Sequence, residues 1–237
     1  MSKVMQGFPP EEPNQATLDN WRKAPYCNWA FHHVRELVPS AEIQNDPSNI
    51  WELESASFDT SKIGLDEALI QTDTDALVVI HDNKLVYETY RNGMTSRDPH
   101  ILMSVSKSLL GLIAGTLVER NELSEKDQII KYIPELANSA YAEATVRNLL
   151  DMRVGVLFNE DYLANEGPII DYRYAANWNP LPKDREGGDL RSFMSSLTEA
   201  DGSHGGRFHY VSPNTDLLAW VFERATGMRY ADLVSER

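Results

Sequence analysis

Two apolar runs in ALVVIHDNKLVYETY, from Ala76 to Tyr90, are rich in β-branched and aromatic residues and are separated by Asp82 and Asn83. Those two residues tolerate the backbone angles of a tight reversal, so the pattern predicts a β-hairpin. A different period follows Pro99, where Leu109, Leu110, Ile113, Ala114, Leu117 and Val118 recur at intervals of one, three and four. That spacing predicts a buried helix. Gly111 and Gly115 would each weaken an exposed helix by ~1 kcal/mol, so they are expected where another backbone comes close. A short helix is predicted between Trp21 and Val38, where Trp29, Phe31, Val34 and Leu37 share a face before Pro39 stops it. Others are predicted after Thr145, an N-cap residue, and after Ser212, with Pro213 at the first helical position and Gly227 as the stop. From Leu123 to Gly206 the pattern gives helices and loops with no strand pair.

These elements divide the chain into four stretches. Residues 1–20 form a polar, proline-rich arm or strap, and residues 21–122 the N-terminal part of an α/β lobe with the hairpin and the buried helix. Residues 123–206 form a mostly helical lobe, and residues 207–237 a tyrosine-containing segment with a last helix. The expected class is α+β: an antiparallel sheet flanked by helices, plus a helical lobe.

Composition narrows the function. The 237 residues carry 22 Lys and Arg against 36 Asp and Glu, a formal net charge of −14, which repels a phosphate backbone or an anionic bilayer surface. Nucleic acid and membrane are therefore not expected as partners. The longest apolar stretch, Leu109 to Val118, is interrupted by two glycines and a threonine and falls short of the ~20 residues that span a bilayer. Pro9, Pro10, Glu11, Glu12 and Pro13 stand where a secretory signal would carry its apolar core, so a cytoplasmic location is expected. Cys27 is the only cysteine, which excludes an internal disulfide and every multi-cysteine metal site. With His32 and His33 it offers too few well-directed ligands for zinc, and no metal or organic cofactor is expected.

The candidate chemistry begins at Ser104-Val105-Ser106-Lys107. An S-x-x-K arrangement at a helix start puts a hydroxyl and an amine one turn apart on one face. The first turn carries the positive end of the helix dipole, and Met103, Val105, Leu109 and Leu110 surround the lysine with apolar groups. Both effects disfavour an ammonium there, so Lys107 is expected to accept the Ser104 proton. Tyr210, in FHYVSPN, stands before a helix start, where a nearby cation favours phenolate, and is a second candidate base. The DGSHGGRF stretch before it reads as a turn rather than a phosphate cradle, since no P-loop lysine follows.

The segments LMSVSKSLLG, NELSEKDQIIKYIPEL, ATVRNLLDM and FHYVSPNTDLLAWVFERATG together resemble the serine β-lactamase and penicillin-binding-protein superfamily, in its class C-related branch. NWAFHHVRELVPSAEI, NEDY at 159–162 and TDLLAWVFERATG resemble more closely the 6-aminohexanoate-dimer hydrolases. The resemblance implies a serine hydrolase of short linear amides or esters, acting through an acyl-enzyme on a small-molecule substrate. Ser104 would be the nucleophile, Lys107 its proton acceptor and Tyr210 a proton relay, with the Ser104 backbone N–H as one oxyanion donor. Tyr162, Trp178 and Ser212 match substrate-contacting positions; Ser212 stands where many members carry the asparagine of a Tyr-x-Asn motif, which weakens the case for β-lactam hydrolysis. No Lys-Thr-Gly or His-x-Gly motif follows, so the chain is expected to be a fragment, lacking the C-terminal strands and having little activity alone. Two rival readings are a β-lactamase or peptidase of the same superfamily and a catalytically silent binding or scaffolding domain. A homodimer is compatible with all three.

Overall fold

The computed structural model describes residues 3–237, which form two compact units, residues 3–40 with 45–101 and residues 41–44 with 102–237.

The first unit is built on a three-stranded sheet. Strands β2 (Ala76–His81) and β3 (Lys84–Tyr90) pair antiparallel, and the two-residue β1 (Glu54–Ser55) joins β3 in parallel. The hairpin turn falls on Asp82 and Asn83, both with positive φ, at 49° and 58°, the backbone of a turn whose twist matches that of its strands. A register shift between Val79 and Ile80 interrupts the β2–β3 pairing. Asp75, just before β2, is buried and accepts hydrogen bonds from Asn92 Nδ2 at 2.7 Å and from His100 Nε2 at 3.0 Å, tying the segment after β3 back to the start of the hairpin. The predicted helix between Trp21 and Val38 is two short pieces, α1 (Cys27–Ala30) and α2 (Val34–Leu37), because His33 leaves helical geometry at φ −130°. The N-terminal arm is a strap: Val4, Ala16 and Trp21 are buried, and Tyr26 Oη donates to the Pro13 carbonyl at 2.9 Å. The seven-residue helix α3 (Leu65–Gln71) completes this unit.

The second unit is helical: α4 (Ser106–Glu119), α5 (Val146–Leu150), α6 (Pro168–Ala175), α7 (Leu190–Ser196), α8 (Ser212–Thr226) and α9 (Tyr230–Glu236). Helix α4 buries Leu110, Ile113, Ala114 and Leu117 in one core with Leu217, Leu218, Val221 and Phe222 of α8. That shared apolar face places α4 with the helical unit, whereas the sequence pattern groups it with the hairpin in residues 21–122. Helix α5 starts on a reciprocal Thr145–Asn148 cap, as the N-cap residue predicts. Helix α8 ends on Gly227 at φ +73°, but begins one residue earlier than predicted, with Val211 as N-cap and Ser212 as its first residue. Val154, Val156 and Phe158 are buried in an extended segment, alternating along the chain; Phe158 packs edge-on to Tyr172 and Phe193, with ring centroids 6.2 Å apart in each case.

Gly111 and Gly115 correct the sequence expectation. Both are exposed, and a Cβ at either position would meet nothing within 4 Å among the described residues. Their conformational freedom is therefore a net cost to α4. Gly115→Ala is expected to stabilise this chain by about 1 kcal/mol in thermal or urea denaturation, as in an exposed helix; a close backbone approach would give the opposite sign.

Candidate active site

The S-x-x-K residues straddle a change of helix type. Met103–Val105 form a 3-10 turn that runs into α4, so Ser104 lies in the tight turn and Lys107 in the first α-helical turn. Met103 has φ +47°, a left-handed backbone that costs a side-chain-bearing residue energy and recurs where a functional group is presented. Ser106 Oγ donates to the Met103 carbonyl at 2.7 Å and so helps hold that turn. Ser104 is left exposed and Lys107 half-buried.

Tyr210 reaches this pair from 106 residues away, its Oη 2.7 Å from Ser104 Oγ. Lys107 Nζ donates to Ser104 Oγ at 3.3 Å and lies 5.4 Å from the centre of the Tyr210 ring. Ser104, Lys107 and Tyr210 thus form one cluster. For Tyr210, burial would raise the phenol's proton affinity, but hydrogen bonds with Ser104 and Lys107 and the Lys107 charge together hold it below its ordinary value of 10. The cluster thus makes this phenol more acidic than a free tyrosine.

Tyr210 is positioned from both sides. Before it, His209 N–H donates to the Met152 carbonyl at 2.8 Å, Gly205 N–H to the Arg153 carbonyl at 2.8 Å, and Arg153 Nε to the Gly206 carbonyl at 2.5 Å. The predicted turn at His204–Gly206 is thereby stitched to residues 152–155. At Gly155 a Cβ would lie 2.1 Å from the Gly202 carbonyl oxygen, so this position admits no side chain without moving that loop. After Tyr210, three polar residues of α8 are each bonded to a different segment. Ser212 donates its N–H and its Oγ–H to Glu160 at 2.6 and 2.5 Å, Asn214 Oδ1 accepts from Tyr141 Oη at 3.1 Å, and Asp216 Oδ2 accepts from Tyr172 Oη at 2.6 Å.

Glu160 also accepts from Tyr162 Oη at 2.8 Å, so one carboxylate joins the Tyr162 loop to the first residue of α8. An anion there also favours the positive end of the α8 dipole. Tyr162 itself is exposed, and its carbonyl accepts from Arg173 Nη2 at 3.0 Å. Ser212 is buried, with its hydroxyl hydrogen directed to Glu160. Trp178 is half-buried in the turn that closes α6, where its N–H donates to the Arg173 carbonyl at 2.8 Å.

Three residues that sequence reasoning missed belong to this region: Glu160, Asp216 and Tyr172. A signal existed for Glu160, because the alternation of Val154, Val156 and Phe158 continues to it. Asp216 lies one helical turn beyond Ser212, an acid among apolar residues. Burial pushes its carboxyl up to about 6, even though a hydrogen bond from Tyr172 and the charge of Lys107 oppose the rise; Glu160 adds to it. Tyr172, on α6, carried no signal. Among the described residues no group of three His, Cys, Asp or Glu side chains could hold a metal ion, and no helix is long and apolar enough to cross a membrane.

Residues 66–237 match the Beta-lactamase family. The chain belongs to that family. It is 35% identical over 231 residues to a 6-aminohexanoate-dimer hydrolase of Paenarthrobacter ureafaciens, covering 96% of this chain and 58% of the relative. A solved structure named "Putative 6-aminohexanoate-dimer hydrolase from Bacillus anthracis" superposes with a TM-score of 0.84 at 31% identity, over 96% of this chain and 62% of that one. The octameric penicillin-binding protein homologue from Pyrococcus abyssi, at 21% identity and a TM-score of 0.51, shares the fold over 73% of this chain and 40% of its own. This β-lactamase-family chain therefore spans about three fifths of the length of its 6-aminohexanoate-dimer hydrolase relatives. Its mixed α+β architecture is the β-lactamase-like fold.

Two measurements test the positioning described above. Gly155→Ala forces the 202–203 backbone aside and is expected to destabilise the chain by about 1–3 kcal/mol, the range for an overpacked interior, read as a lowered urea midpoint. The Asp216 carboxyl holds its proton more tightly in the folded chain than the ordinary value of 3.8. Its contribution to stability is therefore full below about pH 4 and is lost as pH rises through about 6. Asp216→Asn, uncharged throughout, should melt above wild type at pH 7.5, and the gap should close towards pH 4.

Proposed function

We propose that this chain carries the nucleophile of a serine hydrolase that cleaves short linear amides or esters through a covalent acyl-enzyme, of the 6-aminohexanoate-dimer hydrolase and carboxylesterase type. The observation that carries the reading is the three-point contact of Ser104, Lys107 and Tyr210. The 35% identity to a 6-aminohexanoate-dimer hydrolase supports the substrate class. Since the relatives are longer, turnover is assigned to the full-length gene product, and the 237-residue chain alone is expected to be a weak catalyst.

The distances support one order of proton transfers. Tyr210 is the nearer group to Ser104, and its phenol is more acidic than a free tyrosine. The Tyr210 phenolate takes the proton of Ser104 Oγ as that oxygen bonds the carbonyl carbon, with Lys107, as ammonium, holding both oxygens. On this reading Tyr210 takes the place that the sequence expectation gives to Lys107 as immediate acceptor. The carbonyl π pair moves to oxygen, where the backbone N–H of Ser104 is the first oxyanion donor. When the tetrahedral adduct collapses, the bond to the leaving nitrogen or oxygen breaks and that atom receives the proton from Tyr210. Water then repeats the sequence and releases the acid. Glu160 keeps Ser212 and the Tyr162 loop in place beside Tyr210, and Tyr162 and Trp178 remain candidates for contact with substrate.

A fluorophosphonate probe tests the assignment in the full-length gene product. Labelling is expected at Ser104 and to vanish in Ser104→Ala; no labelling of the wild type would favour a silent scaffold. Tyr210→Phe should slow labelling by about 10²–10⁴-fold, the usual worth of a positioned general base. In the wild type the rate should rise with pH through the lowered Tyr210 transition. A short-chain nitrophenyl ester should turn over and a chromogenic cephalosporin should not, which separates this reading from a β-lactamase.

A further inference from the structure

His204 is a half-buried histidine that the mechanism above does not use. Its Nδ1 accepts the Gly155 N–H at 3.2 Å, so the ring proton sits on Nε2 and the imidazole is neutral. That bond belongs to the set that stitches residues 201–209 to residues 152–155. The others run from Asp201 N–H to the Gly155 carbonyl at 3.0 Å, from Gly205 N–H to the Arg153 carbonyl, from Arg153 Nε to the Gly206 carbonyl and from His209 N–H to the Met152 carbonyl. Each of those ends on a backbone oxygen, whereas His204 offers an acceptor that takes up a proton in the physiological range. Burial lowers the proton affinity of the ring below its ordinary value of 6.5, and the charge of Glu143, in the loop before α5, opposes that fall. On the elements packed against it, Arg153 is engaged with the Gly206 carbonyl, Arg147 and Asp151 of α5 with each other at 2.8 Å, and Asp201 with Arg207 of the same loop at 2.8 Å.

We propose that His204 is a positioning residue for Tyr210: its neutral ring latches the loop that delivers the phenol, and protonation of the ring opens that latch. The proposal rests on the serine-hydrolase reading. An imidazolium carries N–H on both nitrogens, so protonation sets a donor against the Gly155 donor, and turning the ring over presents only a C–H there. The ring has little room to withdraw while the loop stays in place, because the 202–203 backbone lies so close that a Cβ on Gly155 would be 2.1 Å from the Gly202 carbonyl oxygen. The displacement therefore passes along the chain, through Gly205 and Gly206, to Tyr210. No proton of the reaction reaches His204. Its effect on stability has the same sign: a histidine whose proton affinity is lowered by folding contributes in full above about pH 6.5, and that contribution is lost as the pH falls below it.

The test follows fluorophosphonate labelling of Ser104 across pH in the full-length gene product, for wild type, His204→Asn and His204→Ala. Asparagine keeps an oxygen acceptor where Nδ1 stands and does not titrate. At pH 7.5 wild type and His204→Asn should label alike. As the pH falls from 6.5 towards 5, wild type should drop about tenfold behind, what one lost hydrogen bond of ordinary strength is worth. His204→Ala, with no acceptor at any pH, should label about tenfold slower than His204→Asn throughout. Equal pH profiles for wild type and His204→Asn would overturn the proposal. NMR of the wild type, 15N-labelled at glycine, histidine and tyrosine, separates this failure from that of the hydrolase reading. At pH 7.5 the His204 ring should carry its proton on Nε2, and the Gly155 and Tyr210 amide signals should shift with the ring as it titrates below 6.5. That outcome supports the latch even if Ser104 never labels. A proton on Nδ1 at pH 7.5, or a Tyr210 signal that does not follow the ring, refutes the latch even if Ser104 labels normally.

Discussion

The 2.7 Å approach of Ser104 and Tyr210 depends on the packing of two helices. Ser104 is presented by the turn that opens α4, and Tyr210 by the segment that opens α8; both helices are fixed by one apolar core, in which Ile113 and Leu117 are buried together with Leu217 and Val221. Hydrophobic burial is non-directional and cannot by itself set a hydroxyl–phenol distance. The direction comes from the polar bonds at the start of α8, where Ser212, Asn214 and Asp216 are tied to Glu160, Tyr141 and Tyr172. The core sets which elements meet, and those bonds set the angle at which α8 delivers Tyr210. A misplacement of about 1 Å in such a site costs on the order of a hundredfold in rate, so the bonds matter to chemistry more than to fold.

Local patterns made some of this legible. The hairpin could be read because Asp82 and Asn83 are residues that accept positive φ between two β-branched runs, and the Thr145 cap and the Gly227 stop because capping depends on one or two adjacent residues. The helix between Trp21 and Val38 was less legible: its apolar spacing is correct, but the break at His33 has no marker in the sequence. Gly111 and Gly115 show a different limit. Glycine in a helix marks either a close approach or an exposed position where its cost is not offset by a contact, and only the surroundings tell these apart.

The site was legible where chemistry requires a fixed spacing along the chain. Ser104 and Lys107 belong to one helical turn, so their meeting follows from a separation of three residues. Tyr210 could be named from its motif, but its contact with Ser104 is a property of tertiary packing. Glu160 and Asp216 escaped notice because acids occur throughout a chain with this composition, and an acid is recognisable as unusual only once its burial is known. Met103 escaped for a related reason: its left-handed backbone is imposed by the turn around it, with no residue-level marker. Rules of local preference fail here at Met103 and Asp216, one with a left-handed backbone and one a desolvated acid, which is the pattern the proposed function would lead one to expect.

Glu160 bears on what the site can accept. The first N–H groups of a fifteen-residue helix such as α8 are a natural receptor for an anion, but the Glu160 carboxylate already takes the Ser212 N–H and hydroxyl. Where the superfamily resemblance implies a side-chain amide offering a donor to a substrate carbonyl, this chain has a serine whose hydrogen is committed to an internal acid. A bicyclic β-lactam of the penicillin type carries a carboxylate close to the ring amide that would be cleaved. On the proposed function, with one acid seated at the α8 terminus and a second a turn further along, a substrate whose cleaved bond lies in an uncharged, extended stretch would suit the surroundings of Ser104 better. On the proposed function, a short linear amide or ester would have that character, and the preference would follow from the charges placed around Tyr210 rather than from Ser104, which would serve both chemistries.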